Sequence, residues 1–189
     1  FATGLFFQPN GSEGRHPDQQ RDKLIDYADW IRITMAGSLR AYPIVRANGD
    51  KVPAELVYYN GSPSAYTLDP QENVVYVAAH DNETLWDILQ IKTAAYTSLA
   101  ERVRMNNLAL SLVAFSQGVP FFHAGDDILR SKSLDRNSYN SGDWFNRLDW
   151  TYENNNWGVG LPGEGRDKWD IFRPLLANPA LKPGKSEIT

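Results

Sequence analysis

Two short apolar runs in the middle of the chain most constrain how it can fold. Residues 74–78 and 119–124 are rich in β-branched and aromatic side chains, a composition typical of strands that are buried on both faces. Between the runs, Leu108, Leu112 and Phe115 recur at helical spacing. The order strand, helix, strand predicts a βαβ unit with parallel strands, and therefore an α/β fold.

The termini of the connecting helix are marked in the sequence. Ser98 followed by Glu101 fits the capping-box pattern, in which each residue bonds the backbone near the other. Gly118 is suited to ending the helix. A last short helix is predicted over residues 169–177, where apolar residues again recur at helical spacing.

The segment before the first strand predicts a helix and then turns. Leucine, isoleucine and methionine side chains recur at helical spacing over residues 22–41, with Asp22 as the expected N-cap. Residues 42–72 contain several Pro residues and two Asn-Gly pairs, which favour turns. We expect one hairpin there, with residues 55–59 as one of its strands.

Composition excludes several classes of function. The chain has 189 residues, 42% of them hydrophobic, which suits one domain or a piece of a larger one. Lys and Arg number 19 against 23 Asp and Glu, so no basic excess points to nucleic acid. No apolar run has the roughly 20 residues needed to span a bilayer. Cysteine is absent, and His16, His80 and His123 are too scattered to indicate a metal site.

The pair His80-Asp81 directly follows the first predicted strand. In βα folds, the carboxyl ends of the strands line the active site, so a carboxylate there is a candidate site residue. Asp81 could equally cap the helix that starts near Asn82 or Glu83. From position alone, the two interpretations have equal weight.

Residues 125–168 form a long polar stretch with interleaved aromatic residues and little periodicity. Such a long loop in a compact domain is usually functional. The part over residues 129–146 is dense in hydrogen-bond donors and acceptors, which suits a polyhydroxylated ligand; the alternative is an ordered surface loop held by side chain to backbone bonds.

Several motifs together resemble one enzyme family. Residues 76–87, which contain His80-Asp81-Asn82-Glu83-Thr84-Leu85, resemble the fourth signature region of the α-amylase superfamily, glycoside hydrolase family thirteen. The version found here is similar to that of type I pullulanases and limit dextrinases. Resemblance to the same subfamily covers nearly the whole chain and includes residues 1–10, 35–37, 129–133, 141–147 and 155–162.

The resemblance implies a (β/α)8 TIM barrel. Residues 74–78 would be strand seven, residues 119–124 strand eight, and the helices predicted over 22–41, from Ser98 onward and near Trp169 would be barrel helices six, seven and eight. Residues 1–189 would then be the C-terminal part of a catalytic barrel. Because both ends of the sequence look cut, we expect it to be a fragment of a longer, multidomain chain.

The reaction that the resemblance implies is the retaining hydrolysis of α-1,6-glucosidic branch linkages in pullulan, limit dextrins, starch or glycogen. The nucleophile and the general acid of this family would lie upstream of the sequence. Asp81 would be the third family carboxylate, a catalytic transition-state stabiliser, with His80 as its neighbour. Arg136 and Asp167 would bind the next glucose, and Trp144 would either stack on sugar or, as we favour, anchor the loop.

Two alternatives remain beside this hydrolase. The chain could be a non-catalytic carbohydrate-binding or assembly fragment, or it could act on α-1,4 linkages as another member of the superfamily. We expect an α-glucan substrate and the remainder of a parent chain as partners, with no cofactor; a calcium requirement is not readable here. Localisation is open, since secreted, cytoplasmic and plastid proteins share these motifs.

Overall fold

The computed structural model describes residues 17–163 and 169–189. The segment over residues 1–10 that contributed to the family resemblance lies outside this range. In chain order the helices and strands are α1 (Pro17–Met35), β1 (Pro43–Val45), β2 (Lys51–Pro53), β3 (Tyr58–Tyr59), β4 (Ser62–Pro63), β5 (Val74–Val75), α2 (Leu85–Lys92), α3 (Leu99–Ala114), β6 (Val119–Pro120), α4 (Asp143–Asn146), α5 (Trp169–Leu176) and α6 (Lys185–Ile188).

The chain divides into two compact units. The first, called the hairpin unit here, comprises residues 17–76 and Ser111–Phe121. The second, called the site unit, comprises, within the described residues, Val77–Leu110 and residues 122–163 and 169–189. Each unit is described by itself below.

Helix α1 of the hairpin unit starts earlier than the sequence pattern predicts. It begins at Pro17, a residue that favours the first helical position because its fixed backbone angle suits a helix and its missing N–H costs nothing there. The prediction of Asp22 as N-cap is therefore wrong. The helix ends at Met35, and Gly37 (φ 81°) and Ser38 (φ 54°) turn the chain away in the left-handed region.

Two hairpins follow α1, where the sequence predicted one. Strands β1 and β2 pair antiparallel, and so do β3 and β4. The second hairpin turns at Asn60 (φ 46°) and Gly61 (φ 84°), the two positive angles of a type I′ turn. The predicted strand over residues 55–59 is mostly wrong, because Ala54–Leu56 forms a 3-10 turn. The buried core of this unit is made of Ile33, Ile44, Ala54, Val57 and Ala65.

Strands β5 and β6 form the predicted parallel pair, with α3 lying between them in the sequence. Val74 faces Val119 in the register, and the Val119 N–H donates to Asn73 O at 2.8 Å. Gly118, with φ 114°, is required before β6, since a Cβ there would lie 2.7 Å from Asn73 O. The prediction of a βαβ unit is confirmed.

The predicted extent and burial of these strands are wrong. Each has only two residues in place of five or six. Val75 and Ala78 are buried, but most of the remaining apolar side chains of the two runs are exposed: Val74, Tyr76, Val77, Val119, Phe121 and Phe122. Within the described residues these are the only paired parallel strands, so the predicted (β/α)8 barrel remains a prediction.

The site unit is organised around one apolar cluster. Its buried members come from α2, α5, the loops between them and the 3-10 turn that follows α5: Trp86, Leu129, Leu134, Trp157, Phe172 and Leu181. The capping box is confirmed, because Ser98 N–H donates to Glu101 Oε2 at 2.9 Å and Glu101 N–H donates to Ser98 Oγ at 3.3 Å. The last predicted helix is confirmed as α5, and Trp169–Leu176 differs from it by one residue.

Candidate active site

The pair His80-Asp81 lies in a short turn between β5 and α2, and both side chains are exposed. Asn82 follows with a left-handed backbone (φ 61°). The N-cap of α2 is Thr84, whose hydroxyl accepts from Asp87 N–H at 3.2 Å. The alternative that Asp81 caps this helix is therefore wrong, and its carboxylate is not engaged as a helix cap.

Lys132, from a distant loop, bonds the main chain of this turn. Its side chain is almost completely buried, and its Nζ donates to His80 O at 3.1 Å and to Asn82 O at 2.7 Å. These carbonyls belong to the residues on either side of Asp81. Burial lowers the pKa of Lys132, opposed mainly by the carboxylate of Asp87.

Asp87, in the first turn of α2, fixes the loop that carries Lys132. Its buried carboxylate accepts from Ser131 Oγ at 2.6 Å, Lys132 N–H at 2.7 Å and Leu134 N–H at 3.1 Å. Burial raises the pKa of Asp87 to about 6, although bonds from Ser131, Lys132, Leu134 and Thr84 favour the carboxylate. The loss of hydration therefore raises the pKa of Asp87 by more than the four hydrogen bonds lower it.

The loop over residues 131–135 is buried throughout, despite its polar sequence. Ser133 (φ 48°) and Leu134 (φ 67°) adopt left-handed backbone conformations, which non-glycine residues reach only at a cost. The Ser133 hydroxyl donates to Asn156 O at 2.9 Å. The alternative of a loop held by side chain to backbone bonds is therefore confirmed for this part, but its predicted location at the surface is wrong, because residues 131–135 are buried.

A polar cavity of about 550 Å³ opens beside the turn. Hydrogen-bonding side chains dominate its lining, which consists of His80, Asp81, His123, Arg130, Lys132, Asn137, Ser138, Tyr139, Asp143 and Asn146. Donors, acceptors and a tyrosine ring around one cavity suit a ligand that carries several hydroxyl groups.

His123 also lines this cavity, and its side chain is only 10% exposed. Arg130 Nη1 lies 3.2 Å from His123 Nε2. Because a guanidinium can only donate, Nε2 is the acceptor of this contact. Nδ1 lies 3.7 Å from the buried carboxylate of Asp126.

The structure brings three of the four predicted site residues close together. His80 and Asp81 line the cavity, and Arg136 Nη2 donates to Asn82 Oδ1 at 3.0 Å, next to Asp81. Asp167 lies outside the described residues. Trp144 packs edge-on against the buried ring of Phe145, with centroids 5.4 Å apart, and still exposes 61% of its surface.

Sequence reasoning missed Lys132 and Asp87. The pattern Thr84-Leu85-Trp86-Asp87 matches a capping box and could have drawn attention to Thr84. No local pattern marks the bonds from Asp87 and Lys132, because their partners are 44 to 52 residues away in the sequence.

No cluster of three or more His, Cys, Asp or Glu that could hold a metal ion occurs in the described ranges 17–163 and 169–189. In the same part of the chain, no helix is long and apolar enough to cross a membrane.

Comparison with known proteins gives a consistent result. Residues 152–189 match the family model described as α-1,6-glucosidases, pullulanase-type, C-terminal. The chain is similar to pullulanases over its whole length. It is 49% identical over 191 residues to the chloroplastic pullulanase 1 of Arabidopsis thaliana, and 43% identical over 189 residues to a pullulanase of Klebsiella pneumoniae.

Solved pullulanase structures are similar to this fold. The maltotriose complex of PulA from Klebsiella pneumoniae aligns with a TM-score of 0.87 at 38% identity, and PulA from Klebsiella oxytoca with 0.88 at 36%. Each alignment covers 98% of this chain. The chain spans only about a fifth of the length of these relatives: 20% of the Arabidopsis protein and 17% of the Klebsiella pneumoniae protein.

Proposed function

We propose that this sequence is the C-terminal part of the catalytic (β/α)8 barrel of a debranching enzyme of glycoside hydrolase family thirteen. The enzyme hydrolyses α-1,6-glucosidic linkages in pullulan, limit dextrins, starch or glycogen with retention, as type I pullulanases and limit dextrinases do. The proposal assigns the nucleophile and the general acid to residues that precede this sequence in the complete enzyme. Similarity to pullulanases along the whole chain supports this assignment.

The position of Asp81 is the observation that carries the proposal. Its side chain is exposed, lines the polar cavity and follows a strand of the parallel pair. Because Thr84 caps α2, the Asp81 carboxylate has no capping role to account for it. An exposed carboxylate that lines a polar cavity and is not used as a helix cap is a candidate site residue.

The chemistry follows from the transition state of glycoside hydrolysis. Positive charge develops at the anomeric carbon as the sugar ring flattens, and hydrogen bonds to ring hydroxyls that strengthen in that state lower the barrier. Asp81 accepts from the hydroxyls of the distorted glucose, and His80 donates to the same region. Both residues line the cavity that would receive this sugar.

Arg136 and Asp167 complete the proposal as binding residues for the neighbouring glucose. The guanidinium of Arg136 offers a planar set of donors, while a carboxylate at Asp167 would accept from adjacent hydroxyls. The bond from Arg136 to the Asn82 side chain supports a location next to Asp81.

The test is the Asp81→Asn variant of the complete enzyme, assayed by release of maltotriose from pullulan. We expect kcat to fall by about 10² to 10³-fold, the usual effect of removing one preorganised group in a transition state. The melting temperature should stay within about 2 °C of wild type, because the side chain is exposed. Near-normal turnover would contradict the role of Asp81.

Asp69→Asn is the matched control. Asp69 is also an exposed aspartate next to a helical turn, and its side chain makes no capping bond. We expect its activity to equal that of wild type. Linear amylose, assayed in parallel, tests the linkage: faster cleavage of amylose than of pullulan by the wild-type enzyme would replace the α-1,6 assignment by an α-1,4 activity.

A further inference from the structure

We propose that Lys132 is a positioning residue for catalysis, which sets the geometry of Asp81 by holding the main chain on both sides of it. The inference rests on the proposed function, because it concerns how the carboxylate assigned to the transition state is kept in place. It adds a residue whose own bonds are directed to the main chain.

The contacts are specific to the turn. Lys132 Nζ donates to His80 O at 3.1 Å and to Asn82 O at 2.7 Å, and these carbonyls belong to the two residues flanking Asp81. An ammonium group has three N–H donors around a single atom. It can therefore satisfy two converging carbonyl oxygens at once, whereas an amide NH₂ has only two donors, both fixed in one plane.

The turn requires an external restraint. Asn82 lies in the left-handed region, with φ 61°, which asparagine tolerates better than most residues, so its residue type permits this conformation without fixing it. Asp81 and Asn82 are both exposed, so no burial of their own side chains fixes the turn. The two bonds from Lys132 supply contacts that do, and Arg136 adds a third through the Asn82 side chain.

Lys132 is itself fixed relative to the next helix. Its N–H donates to Asp87 Oδ2 at 2.7 Å, and the preceding Ser131 hydroxyl donates to Asp87 Oδ1 at 2.6 Å. Its side chain is only 2% exposed and has little room to take another path. Asp87, in the first turn of α2, therefore fixes the position of Lys132, and Lys132 in turn fixes the turn that carries Asp81.

The experiment compares Lys132→Met with wild type in the complete enzyme on pullulan. Methionine keeps an unbranched chain of similar length but cannot donate to the carbonyls. Misplacement of a reacting group by about 1 Å can cost on the order of 10²-fold in rate, so we expect kcat to fall about 10 to 100-fold with KM within threefold. Lys132→Arg, which retains charged donors, should recover at least threefold of the loss.

Lys185→Met is the control for removing a lysine. Lys185 is an exposed residue of the same unit that pairs with Glu153, and we expect its kcat to equal that of wild type. If Lys132→Met does not yield folded protein, Lys132→Gln is measured instead against the same limits. Loss of folding in both neutral variants would assign Lys132 to stability alone and overturn the inference.

A double-mutant cycle separates positioning from general destabilisation. If Lys132 acts through Asp81, Lys132→Met should lower the residual activity of Asp81→Asn by less than threefold, because the group it positions has already lost its function. Full multiplication of the two effects would overturn the inference.

Failure of this inference and failure of the proposed function give different results. A folded wild-type enzyme that releases no maltotriose from pullulan overturns the proposed function. A wild-type enzyme that is active, together with a folded Lys132→Met variant within twofold of it, overturns only the role of Lys132.

Discussion

Two regions of the molecule show opposite relations between residue type and burial. The polar loop over residues 131–135 is buried throughout, although it contains two serines, a lysine and an aspartate. The two strand runs around β5 and β6 are apolar, yet most of their side chains are exposed. The loop can be buried because its polar groups bond one another and Asp87, which removes most of the desolvation cost.

The exposed side chains of the two strand runs cannot be stabilised by hydrogen bonds in this way. Apolar side chains gain nothing from hydrogen bonds and are stabilised only by contact with other apolar groups. A parallel pair with open edges and apolar faces requires further chain to cover it. The buried loop is complete within the site unit, whereas we propose that the strands are covered by other parts of the complete enzyme.

The largest loss of stability is expected from Asp87→Ala, which removes the acceptor that the buried polar loop depends on. The change leaves the Ser131 hydroxyl and the N–H groups of Lys132 and Leu134 buried without their acceptor. Each orphaned group costs about 1 to 3 kcal/mol, so we expect at least about 3 kcal/mol of destabilisation, measured by thermal or denaturant unfolding of the complete enzyme. Asp50→Ala, at an exposed aspartate in the first hairpin, is the control; equal losses would contradict the proposed importance of the network.

Substitutions of Phe121 test whether the exposed apolar side chains of the strand runs are covered in the complete enzyme. Its ring is 48% exposed and meets Tyr76 edge-on. If other parts of the complete enzyme cover the strands, Phe121→Asp destabilises that enzyme by about 2 kcal/mol or more, the usual cost of losing a buried aromatic side chain. Phe121→Leu keeps the site apolar and should cost much less. A neutral effect of Asp would mean that the ring is equally exposed in the complete enzyme.

The pKa of Asp87 predicts a pH dependence of stability. Because its pKa is raised to about 6 from 3.8, the native state binds its proton more tightly than the unfolded state. The resulting stabilisation is fully present below pH 3.8 and is lost as the pH rises through about 6. Between pH 7 and pH 5, the wild type should gain about 1 kcal/mol relative to Asp87→Asn. Parallel melting curves of the two proteins at both pH values measure this; identical slopes would refute it.

The smallest expected effect concerns the cap of α2. Thr84→Ala removes the hydroxyl that accepts from Asp87 N–H and should cost about 1 kcal/mol of stability, as for other N-caps. Thr84→Ser keeps the hydroxyl and should recover most of that loss. A melting temperature unchanged in Thr84→Ala would contradict a contribution of this cap to stability.

Local patterns predicted the features whose partners lie nearby in the sequence. The capping box of Ser98 and Glu101 spans three residues and was correct in detail. The βαβ unit was correct in kind, because two apolar runs around a helix leave few other arrangements. The N-cap of α1 and the strand in residues 55–59 were wrong, since propensity alone cannot locate where a helix begins or where a 3-10 turn interrupts a strand.

The candidate site could be predicted only in part. His80 and Asp81 were found from their position after a strand, and Arg136 from family resemblance; their roles remain proposals. The Asp87 network was not predicted, because hydrogen bonds between distant residues leave no periodic pattern. Burial of the strands was predicted from residue type, which describes the environment an apolar side chain needs and not the contacts present within these 189 residues.

The long sequence separation of the Lys132 contacts has a consequence for folding. Its bonds to the turn and to Asp87 join residues 45 to 52 positions apart, and contacts of this range form slowly because a long loop must close first. Helix α2 and its cap can form from local contacts alone. During synthesis, the turn that carries Asp81 leaves the ribosome well before Lys132, so we expect the site to become ordered only after α2 and its cap have formed.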